Sequence, residues 1–406
     1  DLRLSRGLGD VYKRQGKFMT SPLFEELELR GLTLPNRIIV APMCQYSGSN
    51  GSPTDWHLIH LGQLAQSGAG LLIFEATAVE PRGRITHGCL GLYDDKTEAD
   101  MANLLRVCKQ FGNTPLAIQL GHAGRKASAN PPHKGGKPLS GGEEPWETIA
   151  PSDIPFGNEW PRPLSMTRDI MDEVTRAHTE AVQRCERIGF DAIELHGAHG
   201  YLVSSFLSPI ANRREDEYGG DIINRMRYPL ELFTKMRDAW PDGKPMGVRF
   251  NGTDWDDQGL TTEDAITFGK ALKDVGCDFF DISGGGNSMA RPQVGPGYQA
   301  HLAKAVKHAT NIPTMAVGMI RDPKLAEKLI ADSSCDMIAL ARGLLYEPRW
   351  PWRAAFELGA DVFYPEAYKR ANPNLWPEAF SNEDGNRMNA QDWEIGAAPH
   401  IMVPKN

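Results

Sequence analysis

The sequence predicts an α/β protein built as a (β/α)8 TIM barrel, with a lid-like excursion between its third and fourth strands. Three observations lead there. Eight short runs of apolar and β-branched residues, each bounded by Gly, Pro or Asp, recur along the chain. Amphipathic stretches separate them, and no Gly-x-Gly-x-x-Gly turn follows the first run, which favours a closed barrel over a doubly wound sheet. The residues that end the runs share a chemistry, as a barrel's catalytic mouth requires, because barrel enzymes work at the carboxyl ends of their strands.

The first run, residues 37–41, is stopped by Pro42, and Met43 and Cys44 follow it. The second, 70–76, ends at Ala76-Thr77, and the third, 115–120, carries Gln119 near its end. About seventy residues then intervene, including the Gly/Pro-rich piece 130–162, which reads as a lid over the mouth. The fourth run, 190–195, opens into His196-Gly197-Ala198-His199-Gly200-Tyr201-Leu202. The fifth, 245–250, carries Arg249, and the sixth, 278–283, leads into Gly284-Gly285-Gly286. The seventh, 313–318, closes on Gly318, and the eighth, 336–341, ends in Ala341-Arg342-Gly343. Helical period is clearest over 170–188 and 262–275.

Composition narrows the function. The chain of 406 residues is 41% hydrophobic and 24% charged, within the range of a globular domain. No apolar run is long enough to span a membrane, and a net charge of −8 argues against a nucleic-acid surface. Cys44, Cys89, Cys108, Cys185, Cys277 and Cys335 are widely spaced and form no C-x-x-C pair, so the expectation is reduced thiols in a cytoplasmic protein with no metal centre. Residues 1–18 have five basic and two acidic side chains and no apolar core. They read as a non-native leader before Met19, whose removal takes the charge to −11.

Imidazoles and a phenol can hold a carbonyl oxygen and deliver a proton, which makes the stretch from His196 to Tyr201 the catalytic candidate. Glycine backbone after the seventh strand and a guanidinium after the eighth suit a phosphate. A phosphorylated aromatic cofactor such as FMN would span the two. By period-two alternation Glu194 shares the barrel interior with Ala192 and His196, and a carboxylate there needs a cation, either Arg249 or Lys126. Gly284-Gly285-Gly286 is open between a functional turn and a merely flexible one. His57, His60, His87, His122 and His133 carry no catalytic signal, although His122 ends a strand and could support the site. No lysine ends a predicted strand, which weakens a Schiff-base lyase as an alternative.

In these residues the chain resembles the old yellow enzyme family of FMN-dependent ene-reductases, in the bacterial branch with a cysteine after the first strand. The motifs are Leu34-Pro35-Asn36-Arg37, Ala41-Pro42-Met43-Cys44-Gln45-Tyr46, Glu75-Ala76-Thr77, Gln119-Leu120-Gly121-His122-Ala123-Gly124-Arg125-Lys126, the His196–Tyr201 stretch, Phe206-Leu207-Ser208-Pro209, Asn212-Arg213-Arg214 and Tyr218-Gly219-Gly220. The resemblance implies hydride transfer from NADPH or NADH through FMN to an activated alkene. It implies that His196 and His199 hold the enone oxygen while also contacting the flavin, that Tyr201 protonates the α-carbon, and that Tyr46 faces the substrate. Ala41, Pro42, Met43, Cys44, Ala76 and Gln119 would contact the flavin ring, with the Cys44 thiol tuning its redox behaviour. Arg249 would stabilise the reduced ring, and Gly318, Ala341 and Arg342 would bind the phosphate.

The sequence departs from the family at Ala41, where some relatives have Ser, and at Ala341, where Gly often precedes the phosphate arginine. Pro365-Glu366-Ala367-Tyr368-Lys369-Arg370 lacks the Gln of the branch's C-terminal motif, whose arginine reaches into a neighbouring subunit. Arg370 is the candidate for that intersubunit contact, in a homo-oligomer, a dimer or tetramer. The expected organisation is a leader at 1–18, an FMN-binding barrel at 19–376 and a poorly ordered tail at 377–406. The alternatives are another FMN barrel acting as a dehydrogenase, a flavin-free lyase and a non-catalytic flavin-binding module.

Overall fold

The computed structural model describes residues 21–381. The expected leader with Met19, and the tail from residue 382 onward, lie outside the described residues. The first elements are an antiparallel hairpin, β1 (Leu27–Leu29) and β2 (Leu32–Leu34). There follow β3 (Ile38–Val40), β4 (Leu71–Ala78) and β5 (Leu116–Gly121), then a short parallel pair, β6 (Ile149–Ala150) and β7 (Leu164–Ser165). The remaining strands are β8 (Ala192–Gly197), β9 (Met246–Asn251), β10 (Phe279–Ser283), β11 (Thr314–Ala316) and β12 (Met337–Leu340).

β3, β4, β5 and β8 to β12 close into one barrel of parallel neighbours, sealed where β12 pairs β3 at Ile338↔Ile38. These are the eight runs that the sequence predicts, each displaced by no more than two residues at either end. Helices pack outside. The longest, Arg168–Ile188, starts two residues before the predicted 170 because Thr167 accepts a hydrogen bond from the Ile170 N–H, and it stops at Gly189 in the left-handed region, φ 95°.

Alternation along each strand divides the core. Ile193 and Leu195 face the helices, whereas Ala192 joins Ile39, Leu71, Ile73, Phe279, Met315 and Met337 inside the barrel. Gly247 makes room there, since a Cβ at that position would lie 2.2 Å from the Phe279 ring. The hairpin, which the sequence reading missed, closes the amino-terminal end. Leu29 and Leu34 join the interior cluster, and Arg30, at the turn with φ 53°, donates to the Asp242 and Gly276 carbonyls and to Asp278. Its signal was present in the alternation Leu27-Glu28-Leu29 and Leu32-Thr33-Leu34 around Arg30-Gly31.

The interior is therefore apolar from the hairpin up to the middle of the strands. Above that floor lie Gln119, Glu194, Arg249 and Asp281, and polar chemistry begins at the carboxyl-terminal end. The excursion between β5 and β8 has its own small core, in which Ile149 and Met166 pack with Leu202, Phe206 and Tyr228. It folds back over the mouth, with Phe156 stacked on the Lys126 ammonium at 4.4 Å and His133 edge-on to Tyr46 at 6.4 Å. The expected lid is thus seated against the mouth by these contacts.

Candidate active site

β8 delivers His196 at its end, and a tight turn brings His199 and Tyr201 back beside it. Ring centroids lie 5.3 Å apart for His196 and His199 and 4.9 Å apart for His196 and Tyr201. The Ala198 N–H donates to His196 Nδ1, so the proton of that neutral ring sits on Nε2. His199 Nε2 lies 2.8 Å from Ser283 Oγ, and with the serine donating, its proton sits on Nδ1. Neither His196 Nε2 nor His199 Nδ1 has a hydrogen-bond partner among the described residues. Burial, with Arg249 and Lys126 nearby, holds both imidazoles well below the usual histidine range. Burial, then the neighbouring Cys44, Tyr46 and Cys89, pushes the Tyr201 phenol well above its ordinary value. Two neutral N–H donors and one unionised O–H donor share the mouth.

His199 adopts φ 61°, which few non-glycine residues do, and Gly200 follows at 74°. The strained turn is held from every side. The His199 N–H donates to Asn251 Oδ1, and the Gly200 N–H to Ser204 Oγ, at 3.1 Å each. Lys126 Nζ donates to the His199 carbonyl at 2.7 Å and to the Gly286 carbonyl at 3.1 Å. A Cβ on Gly200 would sit 1.9 Å from the Gly286 oxygen, and one on Gly286 would sit 2.4 Å from the His199 oxygen. Gly286 is therefore a packing surface for the catalytic turn, which decides the question the sequence left open.

Lys126 corrects one expectation: it does not pair with Glu194, being committed to two backbone carbonyls. It enters the mouth from the 3-10 turn Gly124–Lys126 after β5, so that, as expected, no strand among the described residues ends in lysine. Burial, with Arg125 beside it, lowers its pKa to about 7, and its ammonium lies 5.1 Å from the Tyr201 ring centre.

The polar layer beneath gives Arg249 a partner the sequence reading missed, Asp281, whose Oδ2 lies 3.0 Å from Arg249 Nε. Glu194 accepts a 2.7 Å hydrogen bond from Gln119 Nε2. Both pairings depend on register, which sets Gln119 across from Glu194, and Arg249 across from both His196 and Asp281.

On the opposite wall, the loop after β3 places Pro42, Met43, Cys44 and Tyr46. Glu75, at an irregularity in the β4–β5 register, anchors this loop by accepting the Gln45 N–H at 3.1 Å. The buried His57 accepts the Thr54 N–H on Nδ1, which leaves Nε2 protonated 3.3 Å from the Glu75 carboxylate. His57 thus supports the loop that carries Cys44, a function no local signal announced. Burial, then Cys89 and Glu75, keeps Cys44 a thiol, and burial raises the Tyr46 phenol. His122 bonds Glu80 at 2.8 Å and accepts the Gly124 N–H, a supporting position. Ala76, His196 and Tyr201 line one narrow cleft.

A cavity of about 500 Å3 opens beside this group. Arg249, Ser283, Gln299, Gly318, Ala341 and Arg342 line it, which brings the predicted phosphate residues together with the predicted ring contact. Gly318 has φ 114°, in the left-handed region that favours glycine, and Gln299 Oε1 is buried without a partner among the described residues. The Arg342 side chain makes no hydrogen bond or ion pair among the described residues. A cationic, glycine-lined recess joined to a wall of neutral donors fits a phosphorylated planar ring system such as FMN. Arg370 lies apart from it, exposed on the 3-10 turn Glu366–Ala371.

Comparison with known proteins agrees with this geometry. Residues 22–360 match the NADH:flavin oxidoreductase / NADH oxidase family. The NADPH dehydrogenase of Geobacillus thermodenitrificans (strain NG80-2) is 40% identical over 354 residues, 87% of this chain and 99% of the relative. That of Bacillus cytotoxicus is 38% identical over 355 residues, 87% and 97% of the two chains. Among solved structures, morphinone reductase superposes with a TM-score of 0.69 at 25% identity, covering 86% of this chain and 93% of its own. A 2-naphthoyl-CoA reductase complex gives 0.75 at 25% identity, covering 82% of this chain and 52% of the larger one. With nearly the whole barrel matched, the chain belongs to the NADH:flavin oxidoreductase / NADH oxidase family, the old yellow enzymes, and is an FMN-dependent oxidoreductase that uses a nicotinamide cosubstrate.

Proposed function

We propose that the protein is an ene-reductase, which saturates the C=C bond of α,β-unsaturated carbonyl compounds at the expense of NADPH or NADH. The observation that carries this reading is the pairing of two neutral imidazole N–H donors with a free phenol on one turn. When bound, FMN supplies the hydride relay, taking hydride from the nicotinamide and returning it to the alkene β-carbon. Gly318, Ala341 and Arg342 hold its phosphate, and Ala41, Pro42, Met43, Cys44, Ala76 and Gln119 border its ring, with Arg249 balancing negative charge.

His196 and His199 grip the carbonyl oxygen, on which negative charge grows as the β-carbon is reduced. Donors aimed at such charge contribute roughly 3–4 kcal/mol. Their neutrality matters, because a neutral donor polarises the oxygen without protonating it. Tyr201 then gives its phenolic proton to the α-carbon and is reprotonated from solvent, so one hydride and one proton complete the reduction. Tyr46 and the Cys44 thiol line the substrate side. The homo-oligomer, a dimer or tetramer, is part of the proposal, with Arg370 reaching a second subunit, as is a cytoplasmic setting suited to six free cysteines.

The test is anaerobic. The flavin of the purified protein is bleached with NADPH or NADH and then offered cyclohexenone. Return of the yellow colour without oxygen is the expected result. A bleached flavin that only oxygen can reoxidise would remove the alkene as substrate, and protein that takes up no FMN would remove the whole reading.

A further inference from the structure

Glu194 and Asp281 are the two carboxylates in the polar layer of the barrel, and both are fully buried. Among the described residues, none donates a hydrogen bond to Glu194 Oε2, Asp281 Oδ1 or Asp281 Oδ2. Asp281 Oδ2 is nevertheless 3.0 Å from Arg249 Nε, a charge contact whose angle falls short of a hydrogen bond. One guanidinium thus faces two carboxylates. Ionising both would bury an uncompensated negative charge among acceptor-only oxygens, which is costly enough that a proton is retained instead. Asp281 has the closer cation, so the proton belongs to Glu194. The neutral acid still has the acceptor Oε1 that Gln119 uses.

We propose that Glu194 is a positioning residue that stays a neutral carboxylic acid in the working enzyme, fixing the Gln119 amide at the mouth, and that its ionisation makes the bound flavin harder to reduce. The inference rests on the FMN reading above, because the effect reaches the reaction through Gln119 and Arg249, which border the ring position. Arg249 from β9 and Asp281 from β10 are the charged groups that act on Glu194, with the uncharged Gln119 from β5 completing its surroundings. Burial and then Asp281 raise its pKa, Arg249 and Gln119 lower it, and the balance leaves it above the usual carboxylate range. Glu194→Gln reproduces the neutral acid in size and charge and keeps an oxygen acceptor for Gln119.

The experiment is a redox titration of FMN-loaded wild type and E194Q from about pH 6 to about pH 9.5, spanning the group's titration. Coinciding potentials below pH 7, with the wild type falling to more negative values than E194Q above about 8, are expected. Potentials that coincide at every pH, or that already differ at pH 6, would overturn the proposal. Infrared difference spectra of the wild-type protein without FMN, between the same two pH values, read the proton directly. Loss of a protonated-carboxyl carbonyl band on raising the pH is expected. No such band would refute Glu194 as a neutral acid even if E194Q failed to fold, and persistence of the whole band in E194Q would assign it to Glu75 or Asp281, the other buried carboxyls that burial raises, and refute the proposal too. A protein that shows the band but binds no FMN would refute the flavin reading alone.

Discussion

Tyr201 concentrates the chemistry in one hydroxyl. Replacing it with Phe keeps the ring that packs on His196 and the Lys126 ammonium, so stability should change little. Stopped-flow measurement should show alkene reduction slowed by about 100-fold while flavin reduction by NADPH stays within about twofold, the size expected for loss of one general acid. Equal slowing of both halves would deny Tyr201 its proton. Histidines elsewhere set the acid limit of the fold. Burial lowers the pKa of His178 and His60 to about 4, and His57 lowers His60 further. Unfolded chain takes up protons near pH 6.5, so the unfolded state binds more protons throughout the window between the two values. Stability should therefore be whole above 6.5 and fall as the pH drops toward 4, by roughly 1.4 kcal/mol per unit for each group. Urea midpoints at several pH values in that range would show it, and a flat profile would mean that both rings titrate in the fold as they do in the unfolded chain.

The turn after β8 works as a unit because its backbone has nowhere else to go. Gly200→Ala combines a left-handed φ with a 1.9 Å collision against the Gly286 carbonyl, so the turn must shift. We expect alkene turnover to fall by more than about tenfold, since misplacement by an ångström costs that or more, with FMN still bound. Unchanged kinetics would show that the close approach of the two loops is unnecessary. Lys126→Met leaves the His199 and Gly286 carbonyls without their donor, at a cost of roughly 2–4 kcal/mol in urea unfolding. Such couplings explain what could be read in advance. The eight strands were legible because apolar runs between Gly, Pro and Asp are local signals, as was the histidine turn. Asp281 was not, and Ser283 at its strand end and Glu75 in its motif were visible without their roles, because each gains its meaning from a partner on another strand or loop, which only register and closure supply. Lys126 escaped because its partners are backbone atoms, invisible in any side-chain pattern.

For the molecule as a whole, closure was read in advance and the floor was missed, although its alternating residues were there to read. The β1–β2 hairpin lies outside the repeating units, yet Leu29 and Leu34 complete the interior. Replacing both with Asp should destabilise the barrel by more than about 4 kcal/mol, as burial of unpaired charge does, and thermal melts would report it. The exposed Arg370 side chain has no partner among the described residues, so Arg370→Ala should leave the melting temperature of the isolated subunit unchanged while weakening turnover if a second subunit uses it. Comparing KM with kcat in that variant separates a substrate contact from an idle side chain. The excursion over the mouth follows a different logic from the strands. Its outer part, residues 130–162, touches the mouth through Phe156 on the Lys126 ammonium and His133 edge-on to Tyr46, whereas Gln119, Lys126, His196, Arg249 and Asp281 are carried by the barrel wall and the turn directly after β5. Descendants of this chain can therefore exchange that cover for another, changing which molecules are admitted, while the machinery underneath is inherited intact.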